Sequence, residues 1–269
     1  MQRAEAQFDL VLSYPQWQGS GRSEHLQRGA QAAAKVCGQF GPLAQVPLAG
    51  EGVGSGGVNR WSAILEQFRS AQAILDQRQP QRILTAGGDC ACDIVIIDYL
   101  HRQYSDLTVV WIDAHLDANS PISSPSGNFH GMPVAAIMGS APVDLQGLLG
   151  KPLAPTQFKY FSAHIGDDGD WAFQRENNLT WLDPDQPIVG PVHVHFDLDV
   201  LDPTEFPHVA YPDGNLSIEA GIDILMKVAG TGQLVGLTIT EFAPSGDLEA
   251  ETGSETVRRL CEAARASWS

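Results

Sequence analysis

Leu107–Ile112 (LTVVWI) is apolar but for Thr108, the mark of a strand buried on both faces in a parallel sheet rather than one with a wet face. Phe158–Ala163, Val192–Phe196 and Leu234–Ile239 read the same way, and Phe8–Tyr14 (FDLVLSY) and Arg82–Ala86 add two more strands. Between them lie stretches with helical spacing: Ser23–Val36, Trp61–Gln77, Cys92–Tyr104, Ser217–Val228 and Glu255–Ala266. Strand and helix in alternation predict an α/β fold, a three-layer α/β/α sandwich around a central, mostly parallel sheet. Pro142–Pro155 is the least regular stretch. No repeat, linker or low-complexity tract breaks the 269 residues, so residues 1–269 are read as one domain.

Composition narrows the function classes. Hydrophobic residues make up 43% of the chain, enough for a large core. The formal net charge is −16, from 16 basic and 32 acidic residues, which argues against a nucleic-acid partner. No apolar run reaches membrane-spanning length, and the N-terminus lacks the basic-then-apolar order of a signal peptide, so a cytoplasmic location with no membrane partner is expected. The four cysteines, Cys37, Cys90, Cys92 and Cys261, have no disulfide-framework spacing. The glycine-rich Gly50–Gly57 lacks the Lys-Ser/Thr ending of a phosphate loop, which disfavours a nucleotide-binding protein.

Sites in open α/β sheets gather at the carboxyl ends of strands, and the most polar motifs of the chain follow predicted strands: GGDC at Gly87–Cys90, DAHLD at Asp113–Asp117, DLDVLDP at Asp197–Pro203 and TEFAP at Thr240–Pro244. In an extended backbone Asp113, His115 and Asp117 leave on one side, as do Asp197 and Asp199. Carboxylates so close repel unless a cation compensates. Mixed oxygen and imidazole donors suit Mn²⁺, with Zn²⁺, Fe²⁺ or Ni²⁺ also open. Five such residues exceed what a mononuclear zinc site uses and fit two cations about 3.5–4 Å apart, a pair that makes water acidic enough to yield a nucleophile near neutral pH. Asp202, just before Pro203, reads instead as a turn former. His193 and His195 read as core histidines or as donors behind the ligands.

In these motifs, in this order, the chain resembles the ureohydrolase family from Gly87 to Pro244, and within it the arginases, above all over Asp113–Val134 (DAHLDANSPISSPSGNFHGMPV). The resemblance implies a hydrolase of linear amidines, with L-arginine cleaved to L-ornithine and urea as the leading reaction. It implies that Asp113 and Asp197 bridge two divalent cations, Mn²⁺ first among candidates. Asp117 and the last residue of the GGDH motif would complete one site, His115 and Asp199 the other. His130 would pass protons to the leaving amine, and Glu241 would hold the guanidinium. Asn119, Ser126 and Asn128 would recognise the amino-acid end, with a carboxylate among Asp167, Asp168 and Asp170, of which Asp168 is taken here, facing the α-amino group. A homo-oligomer, trimer or hexamer, is the family expectation.

The departure is Cys90, which stands where the family has the GGDH histidine. It would bind as a thiolate and shift preference toward Zn²⁺, Fe²⁺ or Co²⁺, or fail to reach and leave one cation weakly held, or mark a site retuned for another substrate. Retained metal binding is favoured, because both Asp motifs are intact. Cys92 is read as packing. The alternatives are hydrolysis of another guanidino or formimino compound, such as N-hydroxyarginine or an agmatine-like molecule, and a catalytically impaired metal-binding member.

Overall fold

The computed structural model describes residues 7–268. Eight strands form one sheet: β1 (Leu10–Tyr14), β2 (Leu43–Gln45), β3 (Ile83–Gly87), β4 (Thr108–Ile112), β5 (Phe158–Phe161), β6 (Thr180–Trp181), β7 (Pro191–Asp197) and β8 (Gln233–Thr240), in the order β2-β1-β3-β8-β7-β4-β5-β6. Every pairing between them is parallel, as the near-continuous apolar runs require. The longer helices are α1 (Ser23–Cys37), α2 (Trp61–Arg78), α3 (Ile94–Gln103), α4 (Asp168–Glu176), α5 (Ile218–Thr231) and α6 (Asp247–Ala266). They cover both faces, so the three-layer expectation holds.

Strand periodicity splits the core in two. Val109 and Trp111 of β4 pack with Ile64, Phe68, Ile94 and Ile97 of α2 and α3. Val110 and Ile112 turn the other way, with Val192, Val194 and Phe196 of β7, onto Ile222 and Leu225 of α5 and Val257 and Leu260 of α6. On β7 this alternation leaves His193, His195 and Asp197 facing the α2–α3 side, all buried. No helix among the described residues is long and apolar enough to cross a membrane.

The strand order sets β3, β8, β7 and β4 side by side, so the four polar motifs leave from neighbouring strand ends. Gly88 ties this edge together. Its N–H donates to Tyr14 O (2.9 Å), its carbonyl accepts from Glu241 N (2.8 Å), and the next residue's N–H donates to Gln16 O (2.8 Å). A Cβ on Gly88 would sit 1.8 Å from the Gln16 carbonyl oxygen. Gly88→Ala is therefore expected to cost about 3 kcal/mol or more, because backbone rather than a flexible side chain must yield. Urea denaturation reads this as a fall in midpoint at unchanged slope.

Candidate metal centre

Asp113 directly follows β4 and is fully buried. Its Oδ2 accepts from Trp111 Nε1 (2.8 Å) and its Oδ1 from the His115 backbone N–H (2.7 Å). The Asp113 turn carries His115 so that Nδ1 lies 3.1 Å from Asp199 Oδ2 and 3.5 Å from Asp113 Oδ1. Burial opposes a charge on that imidazole, but Asp199 and Asp113 outweigh it and raise its pKa well above the ordinary histidine value. Asp117 is held at φ 50°, a left-handed conformation costly for a non-glycine residue, and Glu241 at φ 59°. Outliers of this kind gather where a side chain must be aimed.

Asp197 ends β7 and caps the short turn Leu198–Val200 by accepting from Asp199 N (2.7 Å). Cys90 opens the 3-10 turn Cys90–Asp93, so its Sγ reaches Asp197 Oδ2 (2.7 Å), with Glu241 Oε1 at 3.8 Å. Burial, then the Asp197 charge, push the Cys90 thiol well up. Burial and neighbouring carboxylates likewise raise Asp117 and Asp197, and hold Asp199 at about 7. Among the described residues Asp117 Oδ2, Asp199 Oδ1 and Glu241 Oε2 are buried without a hydrogen-bond partner. Unpaired buried carboxylate oxygens are costly, and a divalent cation is the charge that would relieve those of Asp117 and Asp199.

Among the described residues two donor groups stand close enough to hold ions. Asp113, His115 and Asp199 form one. Cys90, Asp113, His195 and Asp197 form the other. Within each group the ligand atoms lie within 4.8 Å of one another. Asp113 belongs to both, as a bridging residue must. Asp117 is outside these groups but lines the same cavity, of about 230 Å³, with Cys90, His115, Asp197 and Asp199. The donor chemistry thus fits cation binding.

His130 lies with Nδ1 3.6 Å from Glu241 Oε1 and its ring stacked on Tyr211 at 5.1 Å. Burial lowers its pKa, but Glu241 reverses this and the net shift is upward. Asn119 and Ser126 line the cavity. Asn119 donates to Asp167 Oδ2 (3.1 Å) and accepts from Ser123 Oγ (2.8 Å). Asn128 is turned away, its Oδ1 accepting from Asn59 Nδ2 (3.0 Å), and is absent from the cavity wall. Asp168 is exposed at the start of α4 and also outside that wall. Asp167 and Asp170 line it instead. Asp167 caps α4, and Asp170 accepts from Ala118 N (2.8 Å) and Asp167 N (3.0 Å), with burial raising its pKa to about 6. The choice of Asp168 for the cavity is therefore corrected: the helix start that exposes it turns its two neighbours inward.

Three participants had no sequence signal. Tyr211 stacks on His130 with the Arg22 guanidinium 5.4 Å from its ring centre. Asp213 lies 3.2 Å from His115 Nε2. Both come from an irregular loop whose sequence suggests only a turn. Asp93, hidden in the apolar pattern leading to α3, meets both β7 histidines, His193 Nε2 at 2.8 Å and His195 Nδ1 at 2.9 Å.

Comparison with known proteins identifies the family and the fold. The chain is 31% identical over 234 residues to an arginase of Coccidioides posadasii, covering 77% of this chain and 72% of that one. It is 32% identical over 217 residues to an arginase of Neurospora crassa, covering 70% and 61%. Among solved structures, an Entamoeba histolytica arginase in complex with L-ornithine superposes with a TM-score of 0.82 at 19% identity, covering 97% of this chain and 99% of that one. A Bacillus subtilis arginase gives 0.79 at 21%, covering 96% and 98%. The profile of the Arginase family matches residues 58–265, and the chain, with three strand ends bringing Cys90, His115, Asp117, Asp197 and Asp199 to one cavity and a fourth setting Glu241 beside Cys90 and His130, belongs to that family.

Proposed function

We propose that the chain hydrolyses a guanidino group, with L-arginine as substrate and L-ornithine and urea as products, using two divalent cations held by Cys90, Asp113, His115, Asp117, Asp197 and Asp199. The observation that carries this is the set of buried carboxylates around one small cavity, with Asp117 Oδ2 and Asp199 Oδ1 lacking a hydrogen-bond partner among the described residues. When bound, the cations would supply charge neutralisation and a nucleophile from water near neutral pH. Mn²⁺ is the proposed ion, with Zn²⁺, Fe²⁺, Co²⁺ and Ni²⁺ as its rivals because Cys90 adds a soft donor.

The chain's own residues supply orientation and protons. Glu241, buried with one free oxygen, offers a planar guanidinium a charge-assisted hydrogen bond. That contact fixes the guanidino carbon against the carboxylate cluster. His130 is in reach of Glu241, whose charge raises its pKa and favours the protonated ring, so it can deliver a proton to the departing amine. Asn119 and Ser126 on the cavity wall, with Asp167 beside Asn119, offer donors and acceptors to the amino-acid end.

A second reading, another guanidino or formimino compound, is favoured by Asn128 alone, since its pairing with Asn59 removes one expected contact to that end. The deciding experiment is a panel of L-arginine, N-hydroxyarginine, agmatine and guanidino acids, screened with each of the five metals. Urea and ornithine in equal amounts from L-arginine is the expected result, with Glu241→Gln lowering kcat/KM on the order of 10²-fold, the loss of about 2.7 kcal/mol of charge-assisted contact. Metal-loaded protein that releases urea from none of these compounds would end the reading.

A further inference from the structure

His195 has the geometry of a ligand rather than of a packing residue. It lies two positions before Asp197 on β7 and so shares its face. Its ring lies flat on Trp111, with centroids 3.5 Å apart and planes 3° apart, which fixes its orientation. Nδ1 is 2.9 Å from Asp93 Oδ2, and a carboxylate acceptor there puts the ring proton on Nδ1. Asp93 is held firmly for this task. Its Oδ1 accepts from Thr238 Oγ1 (2.5 Å), and despite complete burial the two imidazoles keep its carboxyl well below the usual range.

Nε2 is thereby left with its lone pair, on the side away from Asp93. A ring nitrogen of His195 lies with Cys90 Sγ and carboxylate oxygens of Asp113 and Asp197 in one buried group, all within 4.8 Å, and Nε2 is the one on that side, because Thr240 Oγ1, 3.2 Å from it, is 3.7 Å from Cys90 Sγ. Its present neighbour is Thr240 Oγ1 at 3.2 Å, a rotatable hydroxyl that can turn away. Carboxylate, imidazole and metal in line is the arrangement by which proteins orient ligating histidines. His193 makes the contrast: it meets the same Asp93 oxygen but joins no such donor group among the described residues.

We propose that His195 Nε2 is a ligand of the first cation, beside Cys90, Asp113 and Asp197. The imidazole absent from position 90 is thus supplied from the adjoining strand. This rests on the two-cation reading above. It gives the first site a sulfur, a nitrogen and carboxylate oxygens, a donor set that favours Zn²⁺, Fe²⁺ or Co²⁺ over Mn²⁺ there.

The test uses full-length protein labelled with ¹⁵N-histidine and loaded with ¹¹³Cd²⁺, reading scalar coupling between cadmium and ring nitrogens. Coupling is expected from His115 and His195, and His115→Asn should leave one coupled imidazole, through Nε2. His195→Gln should weaken Zn²⁺ binding at the first site by at least about 100-fold in chelator competition, consistent with loss of a direct ligand rather than an outer partner. Adding Cys90→His should restore most of that affinity, which separates ligation from a folding defect. Cadmium bound with coupling at His115 alone, or His195→Gln without effect on affinity, overturns this inference and leaves the two-cation reading standing. A wild-type protein that binds no cation overturns both.

Discussion

Asp113→Asn is expected to abolish hydrolysis, with kcat/KM falling on the order of 10³-fold or more, while the protein stays folded. Asp113 is the residue common to both donor groups, so its loss leaves two cations under-compensated at once. Several kcal/mol of charge stabilisation are at stake in such centres, and each 1.36 kcal/mol is tenfold in rate. The substitution is close to isosteric. One amide oxygen can still accept from Trp111 Nε1 or the His115 N–H, the two donors that now hold the carboxylate. It also removes a negative charge that helps raise Asp117, Asp197 and Asp199. The chelated variant should therefore stay folded, the relieved repulsion offsetting the lost attraction to His115 and the one lost hydrogen bond. Urea release, metal content by mass spectrometry and melting of both chelated proteins decide the matter. Full turnover in the variant would contradict the proposed centre, whereas a large fall in chelated stability would assign Asp113 to the fold instead.

What could be read from the sequence depended on burial. β3, β4, β7 and β8 lie inside the sheet with both faces covered, so most of their residues are apolar and their runs stood out. β2 (Leu43–Gln45) and β6 (Thr180–Trp181) are the edge strands, two or three residues long and largely exposed. Nothing requires such strands to carry a pattern, and both went unread. α6 begins at Asp247, eight residues before the expected Glu255. Its first turns contain Gly253, a weak helix former, kept small because a Cβ there would come 2.5 Å from the Phe242 ring. The helix expected from Cys92 opens instead as the 3-10 turn Cys90–Asp93 and becomes α3 at Ile94.

The site divides along similar lines. The Asp clusters were legible because alternating carboxylates after an apolar strand have little other explanation. Their meeting followed from strand order, which the sequence suggested only through the common position of the motifs. His195 was read as a core residue or an outer donor, since nothing in HVHFD reveals that Asp93, more than a hundred positions away, takes its Nδ1 and that Cys90 lies across from it. Tyr211 and Asp213 reach the cavity from a loop without periodicity, and only folded coordinates bring them there.

Stripping the cations should lower the melting temperature, and the loss should deepen as pH rises from about 4 to 8. In the metal-free protein Asp117, Asp197 and Asp199 bind protons more tightly than in the unfolded chain, with Asp199 moved from 3.8 to about 7. A group whose folded pKa is raised contributes stability that is complete below its unfolded value and disappears as pH climbs through the folded one. Asp89 and Asp170, raised to about 7 and about 6, act in the same direction. Asp93 is lowered, so its contribution is lost only in stronger acid and stays constant across this window. His115 is raised too, so its contribution is complete up to its unfolded value of 6.5 and declines above it, adding to the same slope. A shift of about three units corresponds to about 4 kcal/mol for Asp199 alone, or roughly 10 °C for a chain of this size. Bound cations remove the repulsion that creates the slope, and a site held at 1,000 times its Kd adds about 4 kcal/mol. The gap between loaded and chelated melting curves should accordingly widen by about 10 °C or more between pH 4.5 and 8, mostly because the chelated curve falls. A gap that stays the same at every pH would mean that the buried carboxylates are neutralised by something other than the ions, and the charge argument for a metal centre would fail with it.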